Sequence, residues 1–259
     1  PRVAWAQDWV PPNIGWESEQ AAYRCYWGQF DFFGKKRAEL IYPIMKAGES
    51  YHGELEWGID ALHVNETCGL GGITLYVNGK PHPVYSPGGK GAIVWSKKLI
   101  EETKDVVAIE LLAEHVGPED APYTVRFKCS ALANRKDSPI QVTMEGGNPN
   151  DTIEVGLGIR KLPQELFAVD KEAGILANWG IQEPAIGWIG LGVVYPKAMV
   201  VRTAELPNEH QVIVRAENGK PVNYCIQGTW LKGRRFDRCP TLSNWVGDLK
   251  ETAKIAGLD

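Results

Sequence analysis

Within thirteen residues, the segment Tyr51-His52-Gly-Glu54-Leu-Glu56-Trp57-Gly58-Ile-Asp60-Ala-Leu-His63 gathers two of the chain's five histidines, three carboxylates, a tyrosine and a tryptophan. Imidazole exchanges protons near neutrality, so this is the densest place for acid–base chemistry. In extended backbone His52, Glu54 and Glu56 share one face, and Asp60 joins them if the strand continues. A divalent ion on His52, His63 and Asp60 is a second use of the same groups, at a spacing that matches no standard metal motif. A solvated loop holding a structural histidine is the competing reading.

A second cluster comprises Glu17, Arg24, Tyr26, Lys35 and Lys36. Arg24 and Tyr26, two apart on a strand, point to the same side. With a lysine nearby they form a clamp for a carboxylate, which a guanidinium fork matches bidentately. An exposed strand face paired with Glu19 or Asp31 is the alternative. A third cluster is Tyr224-Cys-Ile-Gln227-Gly-Thr-Trp230-Leu-Lys232-Gly-Arg234-Arg235. Its glycines permit close approach, and Trp230 offers a platform for stacking on a sugar or, equally, a core side chain. His82, His115 and His210 stand alone. The glycine runs at 69–72 and 88–91 lack the strand–helix setting and the Gly-Lys-Ser/Thr ending of a phosphate loop. No nucleophile elbow or H-E-x-x-H motif appears.

Strands must position these groups. The run 21–33 favours extended structure, with Tyr23, Cys25 and Trp27 alternating with Arg24 and Tyr26. Pro11-Pro12 breaks any helix before Trp16, and Pro43 counts against a short helix over 38–48. Asn78-Gly79 is a two-residue hairpin signal, and Ala216-Glu-Asn-Gly219-Lys-Pro reads as another hairpin turn. Strand-like runs recur at 92–96, 104–113, 122–131, 139–145, 152–159, 174–180, 187–194, 198–204, 210–216 and 222–231. A single helix over 243–256 follows, with Ser243 as N-cap, Trp245, Leu249, Thr252 and Ala256 on one face, and Gly257 as terminator. This spacing predicts one all-β domain over residues 1–259, a large antiparallel β-sandwich (the galactose-mutarotase-like supersandwich is one form) or a large twisted antiparallel sheet, with a short C-terminal helix.

Composition narrows the function classes. With 28 Lys+Arg against 32 Asp+Glu, the net charge of −4 gives no cationic field for nucleic acid or anionic membranes. No apolar run is long enough to span a bilayer as a helix. The 28 glycines and 17 prolines are spread along the chain, as many tight turns require. Ten tryptophans and nine tyrosines suit both strands and sugar surfaces. Five cysteines show no C-x-x-C and no metal spacing, and Cys225 with Cys239 could close a loop.

Taken together, Trp16-Glu17-Ser-Glu19, Ala22-Tyr23-Arg24-Cys-Tyr26, Lys36, Tyr51-His52, Gly58-Ile-Asp60, Thr67-Cys-Gly69, Gly72, Asn218-Gly-Lys-Pro221, Tyr224, Gly228, Trp230 and Lys232 form an ordered pattern over residues 16–245. It resembles domain-of-unknown-function family 4861, bacterial proteins often encoded in polysaccharide-utilisation gene clusters. Phe32-Phe33-Gly34 and Trp27-Gly28 depart from that pattern, and against the family the shortened N-terminus suggests that a leading β segment is missing.

The resemblance implies a secreted or periplasmic β-sandwich protein acting on carboxylated oligosaccharides. The implied reaction is β-elimination of water or an alkoxide from a terminal uronic acid, giving a 4,5-unsaturated sugar. This carbon–oxygen lyase or dehydratase would need no cofactor, although an ion near His52 and His63 stays open. On that reading His52 is the base, oriented by Asp60. Tyr26 or Tyr224 is the acid, and Arg24 with Lys36 neutralises the sugar carboxylate. Glu17, Trp57, Trp230 and Lys232 complete the substrate contacts. Two alternatives stand beside it. One is a glycoside hydrolase pairing Glu54 or Glu56 with Asp60. The other is a non-catalytic carbohydrate-binding module stacking sugars on Trp27, Trp57 and Trp230.

Overall fold

In a computed structural model of the chain, residues 1–7, 14–46, 50–234 and 239–258 are described. Pro11-Pro12 and Arg235 lie outside them. Among these residues the chain is built from antiparallel strands and one C-terminal α-helix; burial alternates along strands such as Tyr123–Leu132 and is continuous along Gln29–Lys35 and Leu70–Val77.

The first sheet orders β1 (Val3–Gln7), β2 (Ile14–Ser18), β3 (Ala22–Tyr26), β4 (Gln29–Lys35) and β5 (Gly58–Asp60) consecutively. Its inner face carries Trp16, Tyr23, Phe30 and Phe32 into the core. The run 21–33 is therefore not one strand but a hairpin, turning at Trp27 (φ 43°) and Gly28 (φ 84°). A Cβ on Gly28 would sit 2.2 Å from the Val84 carbonyl oxygen, so the turn needs glycine there.

A second five-stranded sheet contains β6 (Leu70–Val77), β7 (Lys80–Pro83), β12 (Ile153–Arg160), β16 (Val200–Glu205) and β17 (Glu209–Ala216). Asn78 (φ 51°) and Gly79 (φ 79°) make the expected hairpin between β6 and β7. The two five-stranded sheets meet at a parallel bridge between Phe30 and Gly69.

The eight-stranded sheet packs under both. It comprises β8 (Val94–Glu102), β9 (Val106–Val116), β10 (Tyr123–Leu132), β11 (Ser138–Gly146), β13 (Leu166–Asp170), β14 (Ile175–Ile181), β15 (Trp188–Val194) and β18 (Pro221–Trp230). Strands β9 and β10 face β2, whereas β15 and β18 face β6. The result is a two-layer β-sandwich whose shared core runs from Trp16 and Phe30 through Phe127 to Ile226. The turn at Asn218-Gly219 is present, but its strands belong to different layers, so it is a crossover and not a hairpin. No helix forms over the described part of 38–48.

Helix α1 (Leu242–Ala256) packs Trp245 and Leu249 on the outside of the eight-stranded sheet. Its N-cap is Thr241, whose hydroxyl accepts from the Asn244 amide, and not Ser243. Gly257 ends it in the left-handed conformation, as expected. Cys225 is a buried thiol and not one half of a disulfide.

Candidate active site

The outer face of the first sheet carries the chemistry. Antiparallel register places Arg24 of β3 opposite Asp31 of β4, and Tyr26 opposite Gln29. Asp60 at the end of β5 reaches the same face. Arg24 Nη2 donates to the Asp31 carboxylate and, at 2.6 Å, to Asp60 Oδ2. The guanidinium lies 4.3 Å from the Tyr26 ring centroid and 4.7 Å from that of Phe33. All three charged side chains are buried.

The segment between β4 and β5 covers one end of this face. Glu17 of β2 accepts from Lys35 Nζ at 2.5 Å and from the amides of Ile41 and Tyr42, which pins the segment down. Phe33, Tyr42, Trp57 and Ile41 fill the space beneath it. The other end stays open as a cleft of about 250 Å³ lined by Arg24, Tyr26, Asp31, His52, Asp60 and His63. Two larger depressions of about 420 and 440 Å³ flank the C-terminal end of α1, with the Lys250–Asp170 ion pair in the first. Neither contains a buried charged cluster like that of the cleft.

His52 stands at the cleft's mouth, its side chain 62% exposed, with Nδ1 3.3 Å from Asp60 Oδ2. The hydrogen bond to Asp60 raises the His52 pKa above the ordinary 6.5. Burial alone would raise Asp60, but the Arg24 guanidinium and His52 outweigh it and hold Asp60 low. Asp31 goes the other way. Burial, then the Asp60 charge, push its pKa well up against the pull of Arg24. Burial also raises the Tyr26 phenol, so that it keeps its proton. His63 lies across the cleft, its ring 6.1 Å from that of His52 and its Nδ1 3.6 Å from Glu183. Among the described residues, no three His, Cys, Asp or Glu side chains are grouped to hold a metal ion.

Of the residues singled out in the sequence, Arg24, Tyr26, His52 and Asp60 come together here, with Trp27 and His63 on the same cleft. Tyr224, Trp230, Trp57, Glu17, Lys36 and Lys232 do not join them. Tyr224 is buried in the core, donating to the Gly71 carbonyl 2.7 Å away, because β18 turns that side chain inward. Trp230 is 1% exposed and donates to the Ile186 carbonyl. Trp57 sits inside the aromatic cluster. Both are core side chains and not sugar platforms, which leaves Trp27 alone at the cleft. Glu17 is consumed by Lys35. Lys36 pairs with Glu54 at 2.9 Å and donates to the Leu55 carbonyl. Lys232 donates to the Ala185 carbonyl and lies 3.9 Å from Glu54. Arg24 commits Nε and Nη2 to two carboxylates and is 1% exposed, and its buried Nη1 makes no hydrogen bond to a described residue.

The segment 51–57 is turns and bends, so His52, Glu54 and Glu56 do not share a strand face. Glu56 pairs with Arg37 instead, and neither glutamate faces Asp60. Gln29 is a cleft group that the sequence does not single out, His63 is singled out only as an ion ligand, and Asp31 only as a partner for an exposed strand face. Only recognition of the Trp27–Gly28 turn would have placed Asp31 opposite Arg24.

A family model described as Domain of unknown function (DUF4861) matches residues 11–256. No curated protein matches the chain. Among solved structures, a protein described as a kojibiose phosphorylase from human microbiome is similar over 98% of this chain, at 9% identity and a TM-score of 0.51. The α-galactosidase AgaB of Geobacillus stearothermophilus is similar over 87%, at 7% identity and a TM-score of 0.41. The chain spans only 37% and 41% of those two structures. The likeness is one of fold. No helix among the described residues is long and apolar enough to cross a membrane.

Proposed function

The chain belongs to the DUF4861 family, and we propose that it is a carbohydrate-active enzyme, or the part of one, that performs β-elimination on a terminal uronic acid of an acidic oligosaccharide. The observation that supports this most is the contact between an exposed imidazole and a buried, guanidinium-anchored carboxylate, 3.3 Å apart, at the mouth of an open cleft. The fold shared with a protein described as a kojibiose phosphorylase supports a sugar as the substrate.

In the proposed step neutral His52 removes the C5 proton. The electrons of that C–H bond form the C4=C5 double bond as the C4–O bond breaks. Tyr26, kept protonated by burial, gives its proton to the departing oxygen. Asp60 fixes the orientation of His52 and stabilises the imidazolium that forms. Arg24 acts only through Asp60, as a positioning residue. His63, across the cleft, is the group placed to hydrogen-bond the sugar acid.

A panel of uronic-acid oligosaccharides, followed by ultraviolet absorbance of the new conjugated double bond, tests this. The wild-type protein is expected to generate the signal, and His52→Ala to lose it while keeping its fold. Reducing ends without absorbance would identify a hydrolase, and full activity in His52→Ala would remove that imidazole from the role of base.

A further inference from the structure

If Arg24 is closed off, an acidic ligand needs another cation. Arg160, the last residue of β12, is half-buried and pairs with no carboxylate among the described residues. Its Nη1 lies 3.4 Å from Gln182 Oε1. The same oxygen accepts from the backbone amide of His63 at 3.2 Å. One buried glutamine thus ties the guanidinium to the segment that lines the cleft. The Nε–Nη2 edge of Arg160 makes no hydrogen bond to a described residue and is not shut away from solvent. That edge is the fork that takes both oxygens of a carboxylate. Burial also lowers the Arg160 pKa with no acidic group to offset it, the condition of a cation awaiting a counter-ion.

We propose that Arg160 is a substrate-binding residue that receives an acidic group of the oligosaccharide on the sugar next to the reacting one. This rests on the reading of the His52 cleft as the reaction site. His63 lines that cleft, Gln182 ties its backbone amide to Arg160, and the Arg160 amide donates to the Gly69 carbonyl, 2.8 Å away, at the joint between the two five-stranded sheets. In this proposal a bound chain leaves the cleft past His63 and presents its neighbouring sugar to Arg160. Binding specificity for acidic over neutral glycans then comes from Arg160, whereas Arg24 serves the dyad.

The test uses the full chain with a panel of acidic oligosaccharides and their methyl esters, binding being measured by titration calorimetry. Wild type is expected to bind at least one free acid. Arg160→Gln is expected to weaken that binding at least tenfold, and Arg160→Lys to weaken it less. Binding of the ester is expected to change little. Where product forms, Arg160→Gln should raise KM with kcat nearly unchanged, and His52→Ala should retain binding. Unchanged affinity of Arg160→Gln for the free acid, in a protein with wild-type melting behaviour, overturns the Arg160 assignment and leaves the elimination reading intact. Failure of wild type to bind any acidic glycan overturns both.

Discussion

Asp31 and Asp60 accept from one nitrogen of Arg24, yet their surroundings push their proton affinities apart. Asp60 faces His52 as well as Arg24 and its pKa is held low, while Asp31, equally buried but without the imidazole, is pushed up by burial and by the Asp60 charge. The two asparagine variants should therefore differ. Asp60→Asn strips the buried guanidinium of its ionised partner and is expected to cost about 3–5 kcal/mol. Asp31→Asn removes a carboxyl whose pKa burial and the Asp60 charge already push up, so it is expected to cost less than Asp60→Asn. Urea unfolding of both variants measures the difference, and equal losses would contradict the assignment of charge. The same pair sets the pH response. Because His52 is raised in the folded protein, its bond to Asp60 adds stability fully below pH 6.5 that is lost as pH rises through the folded value. As a base it must be neutral, so kcat/KM should climb with pH along a limb above 6.5. In Asp60→Asn that limb should move back toward 6.5, which a pH–rate profile would show.

At the scale of single elements, α1 separates what its sequence states from what it leaves open. The three-and-four spacing of Trp245, Leu249 and Thr252 marks its buried face, and those residues are the buried ones. Its start is ambiguous, because Thr241 and Ser243 are both good caps and only the backbone decides. Thr241 has extended φ and ψ and accepts from Asn244, while Ser243 lies inside the helix. Thr241→Ala is expected to cost about 1 kcal/mol and Ser243→Ala close to nothing, as read by denaturant midpoints. The β3–β4 hairpin was harder to read. The period of two correctly puts Arg24 and Tyr26 on one side, but a tryptophan at positive φ gives no turn signal. Without that turn Asp31 is one of two candidate partners for the strand face, beside Glu19, and its place directly opposite Arg24 stays unset. Lys35 and Lys36 show a similar limit. Lys35 is the last residue of β4 and Lys36 lies just beyond it, and the fold sends Lys35 to Glu17 and Lys36 to Glu54.

Across the whole molecule the all-β layering follows from the density of short strands, but the division into three sheets does not. Strand runs are local, whereas the partner of each strand is fixed by contacts far away in sequence, as the Asn218-Gly219 crossover illustrates. The joint between the two five-stranded sheets depends on such a contact. Phe30 donates its amide to the Cys68 carbonyl, 3.1 Å away, and its own carbonyl oxygen lies 2.0 Å from where a Cβ on Gly69 would stand. Phe30 also carries the core across the layers, packing against Trp16 at 6.0 Å and Phe127 at 5.7 Å between ring centroids. Gly69 (φ 73°) and Gly79 (φ 79°) share the left-handed conformation, but nothing lies within 4 Å of a Cβ on Gly79. Gly79→Ala should therefore pay only the backbone penalty, about 1–2 kcal/mol. Gly69→Ala adds a collision with backbone that cannot rotate away, about 1–3 kcal/mol more. Thermal melts should rank the two, with Gly69→Ala lower by roughly 2–4 °C for each added kcal/mol. The larger consequence is functional. Arg24 and Tyr26 belong to one sheet, while Leu62 to Val64 line the cleft on the way to β6 in the other. Prising the joint apart shifts one wall against the other, so folded Gly69→Ala should lose activity or ligand affinity that Gly79→Ala keeps. Equal function in the two variants would mean that the joint between the sheets does not set the geometry of the cleft.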